Sequence, residues 1–511
     1  MNDVETLRAR MLRAVQARAT DDEFDLHGEL AVLLAGIGHT PDDAGGTIAF
    51  THRDPLMRSS LRLGGAAALT LVQQSVVAAA IWRHRTGIGQ DVTVDLGQAI
   101  RRLAPASELR WETLNGYPAD AADRNLRQLF GFYETADGRR VLPANIYPGL
   151  KSRMLQVLGC ADDADSIARA IRRHTAAELE ELGERHGIVL ATVRTVEEFV
   201  ATDAFEHLAA RPLIEIEKVG DSDPEPFGSF GTAPLSGIRA LGMGHVIAGA
   251  GIGRSLAALG ADCLNVWRVM EWEQDTLMAT SHIGMRSTRL QVRTPEGVAT
   301  LHDLLRDADV FFANRRPGLL DELGVGLDRA IAVRPGLVHV TVSTHGDDGP
   351  WADRVGFDQV AGTVTGMVAA EGTLEAPRLP PTNIVNDYLV AWLGATGAMA
   401  ALLRRATEGG SYRVHVSLTR AAMWALSLGL FDPAYVDEAL AGGGEHELID
   451  PQLFTSLTPM GIYQGVTENV TLSRTPHHFA HVLSPRGADQ PVWLPRPRAV
   501  DVGAVARTLG R

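Results

Sequence analysis

The pattern of apolar and polar residues changes near the middle of the chain. From residue 234 onward, short apolar runs rich in β-branched and aromatic residues, as at 263–267, 309–313 and 337–342, alternate with amphipathic stretches. The short runs predict strands and the longer stretches predict helices, one of which begins at Pro295, where a missing N–H costs little. Alternation of this kind predicts a parallel sheet covered by helices on both faces, an α/β fold.

Two distant segments share one pattern, an apolar helix with basic residues near its end, a glycine turn and an alternating strand. They are residues 66–96 and 388–418. The two align without a gap, and Asp387, at the head of the second helix, then corresponds to Gly65. The alternative is that any two helix-turn-strand units look alike. The apolar run 388–403 is short for a bilayer span, so we expect a buried core helix and no membrane association.

A segment rich in glycine, proline, aspartate and serine separates the two halves of the chain and is predicted to be a linker. The expected organisation is an N-terminal, partly helical extension over 1–64, a helix-strand segment over 65–128, a smaller α+β domain over 129–218, the linker over 219–233, the large α/β domain over 234–425 and a C-terminal segment over 426–511.

Composition narrows the possible partners and surroundings of the protein. Its 511 residues carry a formal net charge of −14, which argues against nucleic acid as a main partner. Two cysteines, Cys160 and Cys263, give no disulfide framework, and the N-terminus has no signal-peptide core, so a cytoplasmic location is expected. His477 and His478 lack a third ligand at metal spacing, and no metal site is predicted.

The stretch 234–418 resembles the family III CoA-transferases, the CaiB/BaiF family. The segments that carry the resemblance follow one another in family order and are 234–241, 258–266, 290–297, 308–318 (ADVFFANRRPG), 323–326, 334–343, 346–350 and 356–358. The resemblance implies a Rossmann-like parallel-sheet domain together with a smaller domain. It also places Asp387 where the family has its catalytic aspartate.

The first half resembles a later part of the same family. Residues 85–96, RTGIGQDVTVDL, look like the turn and strand after the catalytic helix, and 132–138 with 175–198 look like the small domain. The chain therefore resembles a permuted or truncated-tandem transferase whose first helix lacks the catalytic acid. Family members form interlocked dimers, so a homodimer is expected, with a heteromer containing a related subunit as the alternative.

The resemblance implies transfer of CoA from an acyl-CoA thioester to a carboxylic acid through a covalent intermediate on Asp387. A carboxylate can attack the thioester and form a mixed anhydride, and the released thiolate can then form an aspartyl thioester. Acyl-CoA and a carboxylic acid are then the substrates, and no permanently bound cofactor is needed. The alternative role of Asp387 is a plain cap of the helix that follows it.

The match to family motifs also suggests which residues bind CoA. They are His245, Val246, Ile247, Ala248, Arg268, Leu290, Arg293, Asn314 and Arg315. Two residues depart from the family pattern, Trp267 where glutamate is frequent and Glu322 where a basic residue is common. Related racemases have a histidine where this chain has Phe357, which favours a transferase.

Two other functions remain open at this point. Residues 249–253, GAGIG, follow a strand-like segment and open a helix, as in NAD(P)-dependent oxidoreductases, but Arg254 occupies the last glycine position of that motif. The second alternative is a catalytically weak partner subunit of a heteromeric CoA-transferase, because one copy of the repeat already lacks its acid.

Overall fold

The computed structural model describes residues 3–119, 126–228, 231–316 and 318–496. The strands within these ranges are β1 Ile48–Thr51, β2 Val92–Asp95, β3 Thr113–Leu114, β4 Tyr117–Pro118, β5 Tyr133–Glu134, β6 Arg140–Leu142, β7 Ala191–Thr192, β8 Glu215–Gly220, β9 Arg239–Met243, β10 Asp262–Arg268, β11 Arg286–Leu290, β12 Val310–Ala313, β13 Val338–Ser343, β14 Ser411–Ser417, β15 Leu453–Thr458, β16 Gly461–Val466 and β17 Val470–Leu472.

The α-helices of the same ranges vary from one turn to more than six. They are α1 Asp3–Gln16, α2 Leu26–Ala35, α3 Leu63–Thr86, α4 Leu96–Ala99, α5 Pro148–Leu158, α6 Ala164–Ile171, α7 Ala176–His186, α8 Val196–Val200, α9 Asp203–Ala209, α10 Ala248–Ala258, α11 Asp275–Ser281, α12 Pro295–Arg306, α13 Leu319–Glu322, α14 Leu327–Val333, α15 Asp358–Val364, α16 Met367–Glu371, α17 Asn386–Glu408, α18 Leu418–Ser427 and α19 Pro433–Gly442.

The largest sheet has seven strands in the order β11-β10-β9-β12-β13-β14-β8. The six strands of the second half are parallel, and β8 of the first half pairs antiparallel with β14 at the edge. The predicted α/β class with a parallel sheet is confirmed. Chain order reverses between β9 and β12, and ligands of open α/β sheets bind at such a point, outside the carboxyl ends of the strands.

A smaller sheet reproduces one edge of the large one. Its order is β1-β2-β17, with β1 parallel and β17 antiparallel to β2, just as β13 is parallel and β8 antiparallel to β14. The long helices that precede β2 and β14 are α3 and α17, and both are buried in the same core. Strand β8 of the first half thus forms the edge of the large sheet, and β17 of the second half forms the edge of the small one. The two halves of the chain interlock in this way.

The two halves are not independent, because β8, whose last two residues overlap the predicted linker, belongs to the sheet of the second half. The sheet β5-β6-β7, with α5, α6 and α7, encloses a separate apolar cluster and forms the smaller α+β unit. Helix α3 has the length and apolar composition of a membrane span, and its apolar window is completely buried within the protein.

Candidate active site

Asp387 lies in the first turn of α17, and a second carboxylate caps that helix. Asp358, at the start of α15, accepts hydrogen bonds through Oδ2 from the backbone N–H groups of Val385 (3.0 Å) and Asp387 (2.8 Å). Within the described ranges, no donor is hydrogen-bonded to the carboxylate of Asp387 itself. The capping role that was the alternative for Asp387 therefore belongs to Asp358, and among the described residues no hydrogen bond ties up the Asp387 carboxylate.

Three buried acids lie close together at this helix start. Asp387 is only 5% exposed, and Asp358 and Glu273 are buried as well. Burial, and next the charges of Asp358 and Glu273, raise the pKa of Asp387 well above its usual range. Burial also raises the pKa of Asp358 to about 7. Like charges in a dry site cannot all ionise, so protons are shared among these groups at neutral pH.

Glu273 joins the two halves of the chain at the site. Its Oε2 accepts from the N–H of Val246 at 2.7 Å, and its Oε1 accepts from the hydroxyl of Tyr147 at 3.0 Å. Tyr147 belongs to the smaller unit of the first half, and its hydroxyl also lies 3.0 Å from Nδ1 of His245. Val246 has a φ of 56°, a strained conformation for a β-branched residue, and the Glu273 bond holds it there.

The predicted CoA segment 245–248 forms the loop between β9 and α10, at the point where strand order reverses. Asn314, just after β12, clamps this loop: its Oδ1 accepts from the His245 N–H at 3.0 Å and its Nδ2 donates to the His245 carbonyl at 2.8 Å. His245 is half-buried, whereas Val246, Ile247 and Ala248 are buried. The structure therefore brings these five predicted residues together.

Two of the predicted CoA-binding cations share one acid. Arg268 Nη2 lies 2.9 Å from Oε1 of Glu271, and Nη1 of Arg315 contacts the same oxygen. Although burial alone would raise the pKa of Glu271, Arg315 and then Arg268 lower it to about 2. The Arg315 side chain is only 3% exposed, so it supports the loop, and its Nε donates to the Met243 carbonyl at 2.7 Å. Arg268 is more accessible.

The remaining two predicted residues lie further out along the sheet. Leu290 is buried and pairs in register with Arg268, one strand away on β11. Arg293 follows β11 and is exposed. Leu290 thus lies beside Arg268 at the carboxyl ends of the strands, and Arg293 lies three residues beyond it in the chain.

The first half retains the capping acid and has no carboxylate at the position that corresponds to Asp387. Asp54 accepts hydrogen bonds from the N–H groups of Gly64 (3.0 Å) and Gly65 (2.6 Å) at the start of α3. This arrangement matches that of Asp358 at α17, and burial raises the pKa of Asp54 to about 6. Because Gly65 stands where Asp387 would be, this second site has no carboxylate at the reactive position.

The glycines of 249–253 serve packing inside α10. A Cβ on Gly249 would lie 2.2 Å from Asn314 Oδ1, and one on Gly253 would lie 2.2 Å from the sulfur of Met285. The predicted nucleotide loop is therefore helix, and the space beside these glycines is filled by side chains. The GAGIG pattern, which resembles an oxidoreductase motif, thus reflects the close packing of α10 against its neighbours.

One group of possible metal ligands occurs among the described residues, consisting of Glu215, Asp347 and His415. Arg413 binds both acids, with its Nη1 3.1 Å from Glu215 Oε2 and its Nη2 in contact with Asp347. The guanidinium neutralises the cluster and occupies the place where a cation would sit, so the group is best described as an ion-pair network.

Comparison with known proteins decides the family. The sequence matches CoA-transferase family III over residues 24–219 and 235–506. The chain belongs to CoA-transferase family III. The two matched blocks lie on either side of residues 220–234. This match supports a CoA-transferase over the oxidoreductase alternative.

Several named relatives are CoA-transferases. An acetyl-coenzyme A transferase of Hypoxylon pulicicidum is 28% identical over 65% of this chain and 60% of its own length. An acyl-CoA transferase of Gibberella moniliformis is 26% identical over 80% of this chain and 76% of its own length. A succinyl-CoA–D-citramalate CoA-transferase of Chloroflexus aurantiacus is 32% identical over 36% of this chain and 49% of its own length.

Solved structures of related proteins match part of the chain. A CaiB/BaiF family protein from Brucella suis covers 45% of this chain and 65% of its own, with 22% identity and a TM-score of 0.34. A hypothetical protein from Mycobacterium tuberculosis covers 38% of this chain and 58% of its own, with 28% identity and a TM-score of 0.36.

The sequence did not reveal four residues that shape the site, namely Asp358, Glu271, Glu273 and Tyr147. The two glutamates follow β10 in the segment MEWEQD. Three acids so close to the predicted CoA-binding Arg268 were a usable sign that this segment contributes to the site. Tyr147 offered no signal, because it reaches the site from a different half of the chain.

Proposed function

We propose that the protein transfers CoA from an acyl-CoA thioester to a free carboxylic acid, with Asp387 as the covalent carrier. One observation supports this role above the others. Of the three buried acids, Asp358 and Glu273 are held by hydrogen bonds from the surrounding backbone, and Asp387 is not. A nucleophile must keep its reactive atoms free, and Asp387 does so at the head of a rigid helix.

The reaction proceeds in two symmetrical halves. An ionised Asp387 oxygen attacks the thioester carbonyl, the C–S bond breaks, and a mixed anhydride and CoA thiolate form. The thiolate attacks the Asp387 carbonyl, which releases the first carboxylate and leaves an aspartyl-CoA thioester. The acceptor carboxylate attacks this thioester and expels the thiolate, which finally attacks the acceptor's carbonyl and regenerates Asp387. No net oxidation occurs and no cofactor is consumed.

The burial of the acids suits these intermediates. Anhydrides and activated thioesters hydrolyse when water reaches them, and a site that leaves Asp387 only 5% exposed limits that loss. Burial and the neighbouring acids raise the pKa of Asp387, and a carboxylate of raised pKa is the stronger nucleophile once it ionises. Tyr147 closes the site from the first half through its bond to Glu273.

The charge of Glu273 should set the pH dependence of turnover. Only ionised Asp387 can attack, so kcat/KM for acyl-CoA should rise with pH through the raised pKa of Asp387. Replacing Glu273 by glutamine removes one neighbouring negative charge and lowers that pKa. The rising limb of the profile should therefore move to lower pH, whereas the exposed control Glu296→Gln should leave it in place. An unmoved limb in Glu273→Gln would contradict the assignment.

Arg268 should provide part of the affinity for CoA. It lies at the carboxyl end of β10 with a partly exposed side chain, and CoA carries several phosphate charges. Because Glu271 already pairs with part of the Arg268 guanidinium, we expect Arg268 to contribute only modestly to the free energy of CoA binding. Arg268→Met should weaken CoA binding about tenfold, measured by calorimetric titration. Arg289→Met, an exposed arginine on the neighbouring strand, serves as the control and should leave the affinity unchanged.

The direct test of the proposed activity is isotope exchange. The enzyme is incubated with an acyl-CoA and the isotope-labelled form of the same acid, and labelled acyl-CoA is followed by mass spectrometry. Exchange without hydrolysis is expected. Hydrolysis without exchange would instead indicate a thioesterase, and the absence of both with every donor tried would favour a partner subunit without its own activity.

Subunit organisation and location follow as further proposals. Relatives from Chloroflexus aurantiacus are named as alpha and beta subunits of a succinyl-CoA–L-malate CoA-transferase. A homodimer, or a heteromer with a related subunit, and a cytoplasmic location remain our predictions for this chain. The presence of Asp387 in a site built from both halves makes a purely supporting subunit the weaker proposal.

A further inference from the structure

Three aromatic side chains from separate segments meet beside the acids of the site. The rings of Tyr147 and Phe357 stack with centroids 5.9 Å apart and an interplanar angle of 14°. Trp272 packs edge-on against Tyr147, with centroids 5.2 Å apart and an angle of 79°. Tyr147 precedes α5, Phe357 precedes α15, and Trp272 lies between β10 and α11. We refer to Tyr147, Trp272 and Phe357 as the aromatic cluster.

The aromatic cluster is directly connected to the reacting region. Tyr147 donates to Glu273, Trp272 is the residue before Glu273, and Phe357 is the residue before Asp358. All three residues are partly exposed to solvent. Partly exposed aromatic surface next to a buried nucleophile is the kind of lining that small-molecule sites use for apolar groups.

The charges around Asp387 disfavour a second carboxylate on the substrate. Within the described residues, the charged groups that act on Asp387 are Asp358 and Glu273, both acids. The cation that acts on Glu273 is Arg315, which is bound to Glu271 and almost completely buried. A dicarboxylic acyl group would therefore bring a further negative charge next to like charges.

We propose that the acyl group is that of a monocarboxylic acid with a flat, apolar body, aromatic or conjugated, which lies against the aromatic cluster. The proposal rests on the CoA-transferase activity proposed above. The same surface would receive the donor's acyl group and the acceptor acid, because the two exchange places on Asp387. Specificity of this kind would separate the protein from the relatives that are named for succinyl-CoA.

Isotope exchange with four donors tests the proposal. Phenylacetyl-CoA, cinnamoyl-CoA, succinyl-CoA and acetyl-CoA are each supplied with their own labelled acid. We expect kcat/KM for the two aromatic donors to exceed that for succinyl-CoA by at least about tenfold, since one good ring contact corresponds to roughly that factor. Equal or faster exchange with succinyl-CoA, or exchange with acetyl-CoA alone, would overturn the proposed specificity while leaving the transferase activity intact.

No exchange with any of the four donors would overturn both the proposed specificity and the proposed CoA-transferase activity.

The contribution of the aromatic cluster to this specificity is tested with Phe357→Leu, which keeps an apolar side chain and removes the ring. The ratio of kcat/KM for phenylacetyl-CoA to that for acetyl-CoA should fall about tenfold. Phe50→Leu, a half-buried phenylalanine of β1 that packs on His27, should leave this ratio unchanged. An equal loss with both donors would show that Phe357 has a merely structural role.

Discussion

Replacing Asp387 by asparagine is expected to lower turnover of acyl-CoA by at least about a thousandfold, because the variant loses the nucleophile on which both halves of the reaction depend. The amide is close to the carboxylate in shape, and within the part of the chain that the structure describes the Asp387 side chain makes no hydrogen bond that supports the fold. Binding of CoA and the unfolding midpoint should therefore change little. The rate is measured by isotope exchange under saturating substrate.

The first half of the chain supplies a matched control for this variant. Asp54 is a buried aspartate at the start of the equivalent helix, where Gly65 replaces the nucleophile. Asp54→Asn weakens the cap of α3 and should leave the exchange rate of the folded enzyme near that of the unmodified protein. A large loss of rate in Asp54→Asn, together with near-normal exchange in Asp387→Asn, would move the chemistry to the first half and refute our assignment.

Replacing Arg254 by methionine is expected to lower the free energy of unfolding by about 3–5 kcal/mol. Its guanidinium donates to Glu468 Oε1 from Nε at 2.9 Å and from Nη2 at 2.8 Å, and both side chains are buried. Although burial raises it, Arg254 lowers the pKa of Glu468 to about 2, so the acid is charged in the folded protein. Without Arg254 that charge stays in a dry core, where Arg102, 4.0 Å away, is a weaker partner. Chemical denaturation measures the loss.

Two further variants separate the cost of an isolated charge from a simple loss of packing. Adding Glu468→Leu to Arg254→Met removes the stranded acid and should recover part of the stability. Arg306→Met breaks the exposed pair with Asp303 and should cost less than about 1 kcal/mol. If the double variant were less stable than Arg254→Met alone, the pair would not explain the loss.

The periodicity of the second half was sufficient to predict the parallel sheet, because strands such as β12 and β13 are continuous apolar runs between amphipathic helices. The family was identified from ordered motifs around Asp387. The interlocking of the halves was not predictable from local pattern. Strand β8 resembles any half-exposed strand, and nothing in its sequence shows that it completes a sheet on the other side of the linker.

Within the site, contacts inside a continuous motif were easier to predict than contacts between distant residues. Residues 245–248 and Asn314 come together as expected. The pairing of Arg268 and Arg315 with Glu271 could not be inferred, because a single sequence does not show which acid folds onto which base. The contact of Tyr147 with Glu273 spans both halves and depends on the tertiary fold alone.

The central claim, covalent catalysis at Asp387, is tested most directly by trapping the intermediate. The protein is mixed with an acyl-CoA in the presence of hydroxylamine, digested, and examined by peptide mass spectrometry, with Asp54→Asn and Asp387→Asn treated in parallel. We predict a hydroxamate on the peptide that contains Asp387, in the unmodified protein and in Asp54→Asn, and its absence in Asp387→Asn. A hydroxamate on another acid, or steady exchange without any modified peptide, would contradict the account.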